Sequence, residues 1–131
     1  MSKKIRIIFL ALAAILTIGC TNGAAGSGGK VETITAEQAK KIMDSGVAYI
    51  LLDVRRPDEY AEEHIKGAVL IPDFELEQRA PRELTDKKAL ILVYCRSGRR
   101  SLASAKLLAG MGYANIKDMG GIIDWPYGVE R

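Results

Sequence analysis

The chain has few of the residues that would leave its chemistry open. It holds two cysteines, Cys20 and Cys95, one histidine, His64, and one tryptophan, Trp125. No Cys-x-x-Cys pair occurs, which argues against a disulfide-exchange protein. A basic excess is also missing, although the formal charge is +3. Lys3, Lys4 and Arg6 precede every acidic residue, and the chain that follows them is balanced in charge. A nucleic-acid-binding domain usually shows a clear basic surplus, so no nucleic-acid partner is expected. Aromatic residues make up 6 % of the chain, while aliphatic residues are abundant. That composition suits an ordinary globular α/β or α-rich domain. There is no internal repeat, and the length provides for one core rather than two.

The first stretch, "MSKKIRIIFLALAAILTIGC", has a basic start, an apolar run from Ile7 to Ile18, and then Gly19-Cys20. This order of basic, apolar and small residues is that of a secretory signal. The apolar run is short for a bilayer span, which needs about 20 residues. "LTIGC" resembles a bacterial lipoprotein signal, which implies lipidation of Cys20 and a membrane anchor. Residues 1–20 are therefore expected to be a signal peptide ending at a lipidation cysteine. Residues 21–30, rich in Gly, Ser, Ala and Asn, read as a flexible tether. Residues 31–131 are expected to form the folded domain, exported and held at the cell envelope, in the periplasm or otherwise outside the cytoplasmic membrane. With Cys20 acylated, Cys95 has no intramolecular disulfide partner.

Within the domain, a β-prone piece from Val31 to Ile34 precedes Thr35, an N-cap with Gln38 at capping-box spacing. Ala36, Ala39, Ile42 and Met43 give the following helix a partly apolar face, and Gly46 ends it. "VAYILLDV", "AVLIP" and "ALILVY" are short, nearly continuous apolar runs, the pattern of strands covered on both faces. "RPDEYAEEHIKG" reads as a turn and a short polar helix. From Asp73 to Lys88 the sequence is charged and irregular, with a helical turn expected only around Phe74 to Arg79, before Pro81. After the cysteine loop comes a helix with Leu102, Ala105, Leu108 and Ala109 on one face. "ANIKDM" is a weak last strand, and "GGIIDWPYG" is a glycine turn with a short tail. Alternating strands and helices predict an α/β fold with a parallel sheet.

The stretch "VYCRSGRRS" places Cys95 at the carboxyl end of the strongest strand, directly before a helix. That edge of an open α/β sheet is where ligands bind. Backbone N–H groups from Arg96 to Arg100 lead into a helix N-terminus, a setting that favours an anion. Gly98 permits the positive φ that a curled loop needs. Arg96, Arg99 and Arg100 add permanent positive charge, so the surroundings favour thiolate over thiol. The reading is a nucleophile, ionised without a neighbouring base, that also attracts small anions.

"LLDVRRPDEYAEEHIKGAVLIP", "LVYCRSGRRS" and "MGGIIDW", in this order and spacing, resemble the rhodanese family over roughly Ile34 to Val129. The resemblance implies a three-layer α/β sandwich with a central five-stranded parallel sheet flanked by helices. It implies transfer of sulfane sulfur through a persulfide on Cys95, as in a single-domain thiosulfate sulfurtransferase. The loop residues Arg96, Ser97, Gly98, Arg99, Arg100 and Ser101 would bind an anionic donor such as thiosulfate. Cyanide or a thiol would accept the sulfur, and neither metal nor organic cofactor is required. Asp53 and Arg55 read as supporting residues that order nearby loops, with an ion pair to Glu59. His64 reads as a hydrogen-bonded turn residue and Trp125 as packing for the tail.

Rival readings meet specific obstacles. A phosphatase or arsenate reductase of the Cys-x₅-Arg type needs an arginine where this chain has Ser101. A Cys–His hydrolase would need His64 within reach of Cys95 and a third orienting group. A non-catalytic sulfur carrier or binding module with the same fold is the alternative that keeps the cysteine in use.

Overall fold

The structure is a computed structural model and describes residues 28–131. Cys20, the signal segment and most of the tether lie outside the described residues. Five strands and four α-helices alternate: β1 (Lys30–Thr33), α1 (Ala36–Asp44), β2 (Ile50–Asp53), α2 (Pro57–Glu62), β3 (Val69–Leu70), α3 (Leu76–Glu83), β4 (Leu90–Cys95), α4 (Arg99–Gly110) and β5 (Asn115–Gly121). Short 3₁₀ turns at Asp73–Glu75 and Ile122–Asp124 follow β3 and β5. All strand pairs are parallel, in the order β1-β5-β4-β2-β3, so β1 and β3 are the edges.

Strand period two sorts the side chains into two cores. On one face Leu52, Val54, Ile91, Val93 and Ile116 pack with Leu76 and Ala80 of α3, with Leu84 just after it, and with Ala105, Leu108 and Ala109 of α4. On the other, Leu51, Leu92, Tyr94 and Met119 pack with Ala39, Ile42 and Met43 of α1, with Tyr60 of α2, and with Trp125. The three-layer sandwich expected from the sequence is therefore observed. Burial of both sheet faces explains why the strands read as continuous apolar runs.

The capping box forms as expected. Thr35 Oγ1 accepts from Gln38 N–H at 3.1 Å, and Gln38 Oε1 accepts from Thr35 N–H at 2.9 Å. Two local expectations change. The helix near Pro81 does not stop before it: α3 continues to Glu83. Proline removes the N–H that would reach Glu77, but both residues face solvent, so water can satisfy the freed carbonyl. Burial of the Leu76, Ala80 and Leu84 stripe holds the helix through it. In α4 the buried face is Ser101, Ser104, Ala105, Leu108 and Ala109, with Leu102 only half-buried. Its inward stripe therefore begins with small polar residues beside the cysteine loop. The weak strand, β5, lies inside the sheet between β1 and β4.

Candidate functional site

Cys95 ends β4, the middle strand, and its side chain points to the α3/α4 core. The residue is 1 % exposed and its thiol is free. The chain then curls. Gly98 takes φ +102°, a conformation open to glycine at little cost, and caps α4. The curl brings Gly98 N–H to 3.0 Å from Cys95 Sγ, a direct bond from main chain to sulfur. Close packing of the loop requires glycine elsewhere too: a Cβ on Gly121 would lie 2.2 Å from the Arg96 carbonyl oxygen. The loop is also tied down by Ile123 N–H, which donates to that carbonyl at 3.2 Å.

The three arginines separate into two kinds. Arg96 and Arg99 are exposed and enter no ion pair among the described residues. Arg100 instead forms a two-pronged pair with Glu59 of α2, both N–O distances being 2.8 Å. Glu59 also accepts from Arg56 N–H at 3.0 Å. The Arg100 hydrogen bonds are the main reason that the Glu59 carboxyl is lowered to about 2, against the opposing effect of burial. Arg100 is raised above its ordinary value, first by its hydrogen bond to Glu59, against the opposing effect of burial. The partner expected for Glu59 was Arg55; the structure gives it to Arg100, because α2 and the start of α4 meet at this sheet edge.

Arg55 is turned inward. Its Nε and Nη2 donate to Asp53 at 2.8–3.1 Å, its own N–H reaches Asp53 Oδ1 at 2.9 Å, and Nη2 also binds the Glu63 carbonyl at 2.7 Å. Burial is the largest influence on Arg55 and acts against its charge, yet the Asp53 bonds keep it above the ordinary value. Tyr94 completes this cluster. Its hydroxyl accepts from Ile65 N–H at 3.1 Å, and burial raises it far above a free phenol.

Ser101, expected among the donor-binding residues, is fully buried. Its hydroxyl lies 2.7 Å from Asp118 Oδ1 and 3.0 Å from the Gly98 carbonyl oxygen. It braces the loop from behind. Ser97 is exposed at the loop's tip. His64 stacks on Tyr60 with ring centroids 3.9 Å apart, and its Nδ1 lies 3.0 Å from the Tyr60 carbonyl oxygen. It pairs through its backbone with Glu130 and makes no hydrogen bond to Cys95, so the geometry of a Cys–His hydrolase is not formed. Trp125 packs on the α1/α2 core and donates from Nε1 to the Gly128 carbonyl at 3.0 Å.

A cleft of about 220 Å³ opens beside the loop, bounded by Arg96, Glu59, Glu62, Glu63, Ile122 and Ile123. A larger hollow of about 450 Å³ lies between α1 and the tail, at Met43, Tyr49 and Trp125, and includes no loop residue. The larger of the two spaces is thus not the one beside the thiol. Sequence reasoning missed the inward carboxylate of Asp118. A charged residue at the inward position of a strand was the available signal.

These features define an α/β domain with one buried thiol in a glycine-capped loop at the carboxyl edge of a parallel sheet. The Rhodanese-like domain matches residues 35–126, and the chain belongs to that family. The thiosulfate sulfurtransferase PspE of Escherichia coli (strain K12) is 38 % identical over 73 residues, 56 % of this chain and 70 % of that protein. The putative sulfur carrier protein YrkF of Bacillus subtilis (strain 168) is 35 % identical over 96 residues. That match takes in 72 % of this chain but only 51 % of YrkF. A solved structure of a rhodanese with anions from E. coli aligns with a TM-score of 0.61 and 34 % identity, covering 64 % of this chain and 99 % of that one. Together these relatives support a sulfurtransferase or sulfur-carrier role.

Proposed function

We propose that the domain is a thiosulfate sulfurtransferase working through a persulfide on Cys95. The Cys95 thiolate attacks the outer sulfur of thiosulfate. A Sγ–S bond forms, the S–S bond of thiosulfate breaks, and its electron pair leaves with sulfite. Cyanide or a thiolate then attacks the bound outer sulfur, and the Sγ–S electron pair returns to Cys95 as thiolate. Exposed Arg96 and Arg99 draw in the anionic donor, while Arg100, held by Glu59, fixes the start of α4. Amides of the Arg96–Arg100 loop stabilise charge on sulfur, Gly98 foremost. The observation that carries this reading is the Gly98 N–H at 3.0 Å from Sγ.

The test is to mix the domain with thiosulfate and cyanide and follow thiocyanate. Turnover is expected in the wild type and none in Cys95→Ser; activity surviving in that variant would remove Cys95 from the role. A carrier reading has one observation in its favour: the cysteine itself is enclosed, 1 % exposed. A carrier would gain one sulfur, about 32 Da, without multiple turnover to cyanide. The proposal extends to placement: an acylated Cys20 would hold the domain at the cell envelope. A diacyl or triacyl addition on Cys20 in cell-derived protein supports this, and an intact Met1 contradicts it.

A further inference from the structure

Asp118 is a buried carboxylate, 3 % exposed, that enters no ion pair among the described residues. Such a group is expensive to bury, and neutral donors offset that only in part. Its place in the sheet gives it a task. The β4–β5 register pairs Val93 with Asp118 but Cys95 with Gly121, so two steps along β4 face three along β5. Asp118 sits at the foot of this bulge and closes it, with Oδ1 accepting from Gly120 N–H at 3.0 Å. The same oxygen accepts from the Ser101 hydroxyl, at 2.7 Å, on the first turn of α4. Ser101 has one hydroxyl proton, so the Gly98 carbonyl oxygen, 3.0 Å from Oγ, at most shares the proton that the shorter Asp118 bond takes. Gly98 packs on the bulge from its other side, since a Cβ there would meet Gly120 Cα at 3.4 Å. One oxygen atom thus ties the bulge to Ser101, in the first turn of the helix that Gly98 caps.

We propose that Asp118 is a positioning residue for sulfur transfer: through Ser101 and the Gly120 bulge it sets the Gly98 N–H against Cys95 Sγ. This rests on the persulfide reading of Cys95. Asp118 exchanges no proton or electron with the substrates; it acts only as a hydrogen-bond acceptor. An amide oxygen in the same place can accept both bonds.

The experiment is single-turnover sulfite release from thiosulfate by wild type, Asp118→Asn, Asp118→Ala and Ser101→Ala, with the mass of each protein read afterwards. Misplacing the amide is expected to slow release about 10- to 100-fold in Asp118→Ala and in the same direction in Ser101→Ala, while Asp118→Asn stays within about threefold of wild type. Rescue by asparagine separates positioning from a general loss of stability, because it restores the acceptor without the charge. A wild type that gains no sulfur overturns the persulfide reading and this inference with it. A wild type that loads normally, alongside an Asp118→Ala that loads as fast, overturns this inference alone. Asp118→Asn as slow as Asp118→Ala also overturns it. Should Asp118→Ala fail to fold, Ser101→Ala carries the comparison: release at the wild-type rate overturns the inference.

Discussion

Two arginine–carboxylate pairs start from one short stretch of chain, at Asp53 and at Glu59, and they do different work. Asp53–Arg55 at the end of β2 is enclosed, with side-chain exposures of 0 and 4 %. Glu59–Arg100 lies at the mouth of the cysteine loop, with 17 and 31 % exposed. The enclosed pair is local, two residues apart, and binds the Glu63 carbonyl as well, so it ties the end of β2 to the C-terminal end of α2. The outer pair spans 41 positions and joins α2 to the first turn of α4. Removing half of the first should break the fold's frame; removing half of the second should loosen the site while the frame stands.

The largest expected effect comes from Asp53→Ala, which leaves Arg55 buried without its partner. A loss of about 3–5 kcal/mol in urea unfolding is the expectation for a broken buried pair. A loss below about 1 kcal/mol would place this pair with the surface ones. Next is Gly98→Ala, which asks an L-residue to hold φ +102°. The strain should cost about 1–2 kcal/mol, and thiocyanate formation should fall with it.

Glu59→Gln sharpens the contrast through pH. In the folded protein this carboxyl is lowered from 4.5 to about 2. Its contribution is therefore complete above the unfolded value and is lost as pH falls from about 4.5 through 2. Urea midpoints of wild type and Glu59→Gln should differ most near pH 7 and converge toward pH 2. A gap independent of pH would assign the effect to packing. The smallest effect belongs to Lys41→Ala. Lys41 and Glu37 are 75 and 70 % exposed, and such a pair contributes about 0.3–0.5 kcal/mol in unfolding.

Legibility in the sequence followed the distance over which each feature is decided. The Thr35 capping box, the β4 run and the thiol with its glycine loop are set by neighbours in sequence, and each was readable from residue type and spacing. What needed the folded chain was set across it. Arg100 looks like a free cation until α2 arrives from 41 positions away. Ser101 looks like a ligand-facing hydroxyl until β5 places Asp118 against it. Pro81 looks like a stop until the buried stripe of α3 outweighs the missing N–H. β5 looks weak because Ile116 and Met119 are its only large apolar residues, and its place between two strands comes from pairing on both sides.

The sheet's outermost strands have a consequence of their own. On one side β3 is two residues long; on the other β1 carries Lys30 and Glu32. An unpaired rim invites a neighbouring chain to add itself by main-chain hydrogen bonds, and brevity and charge are two ways to refuse it. Both rims refuse here, so crowding many copies together should yield separate molecules rather than fibrils.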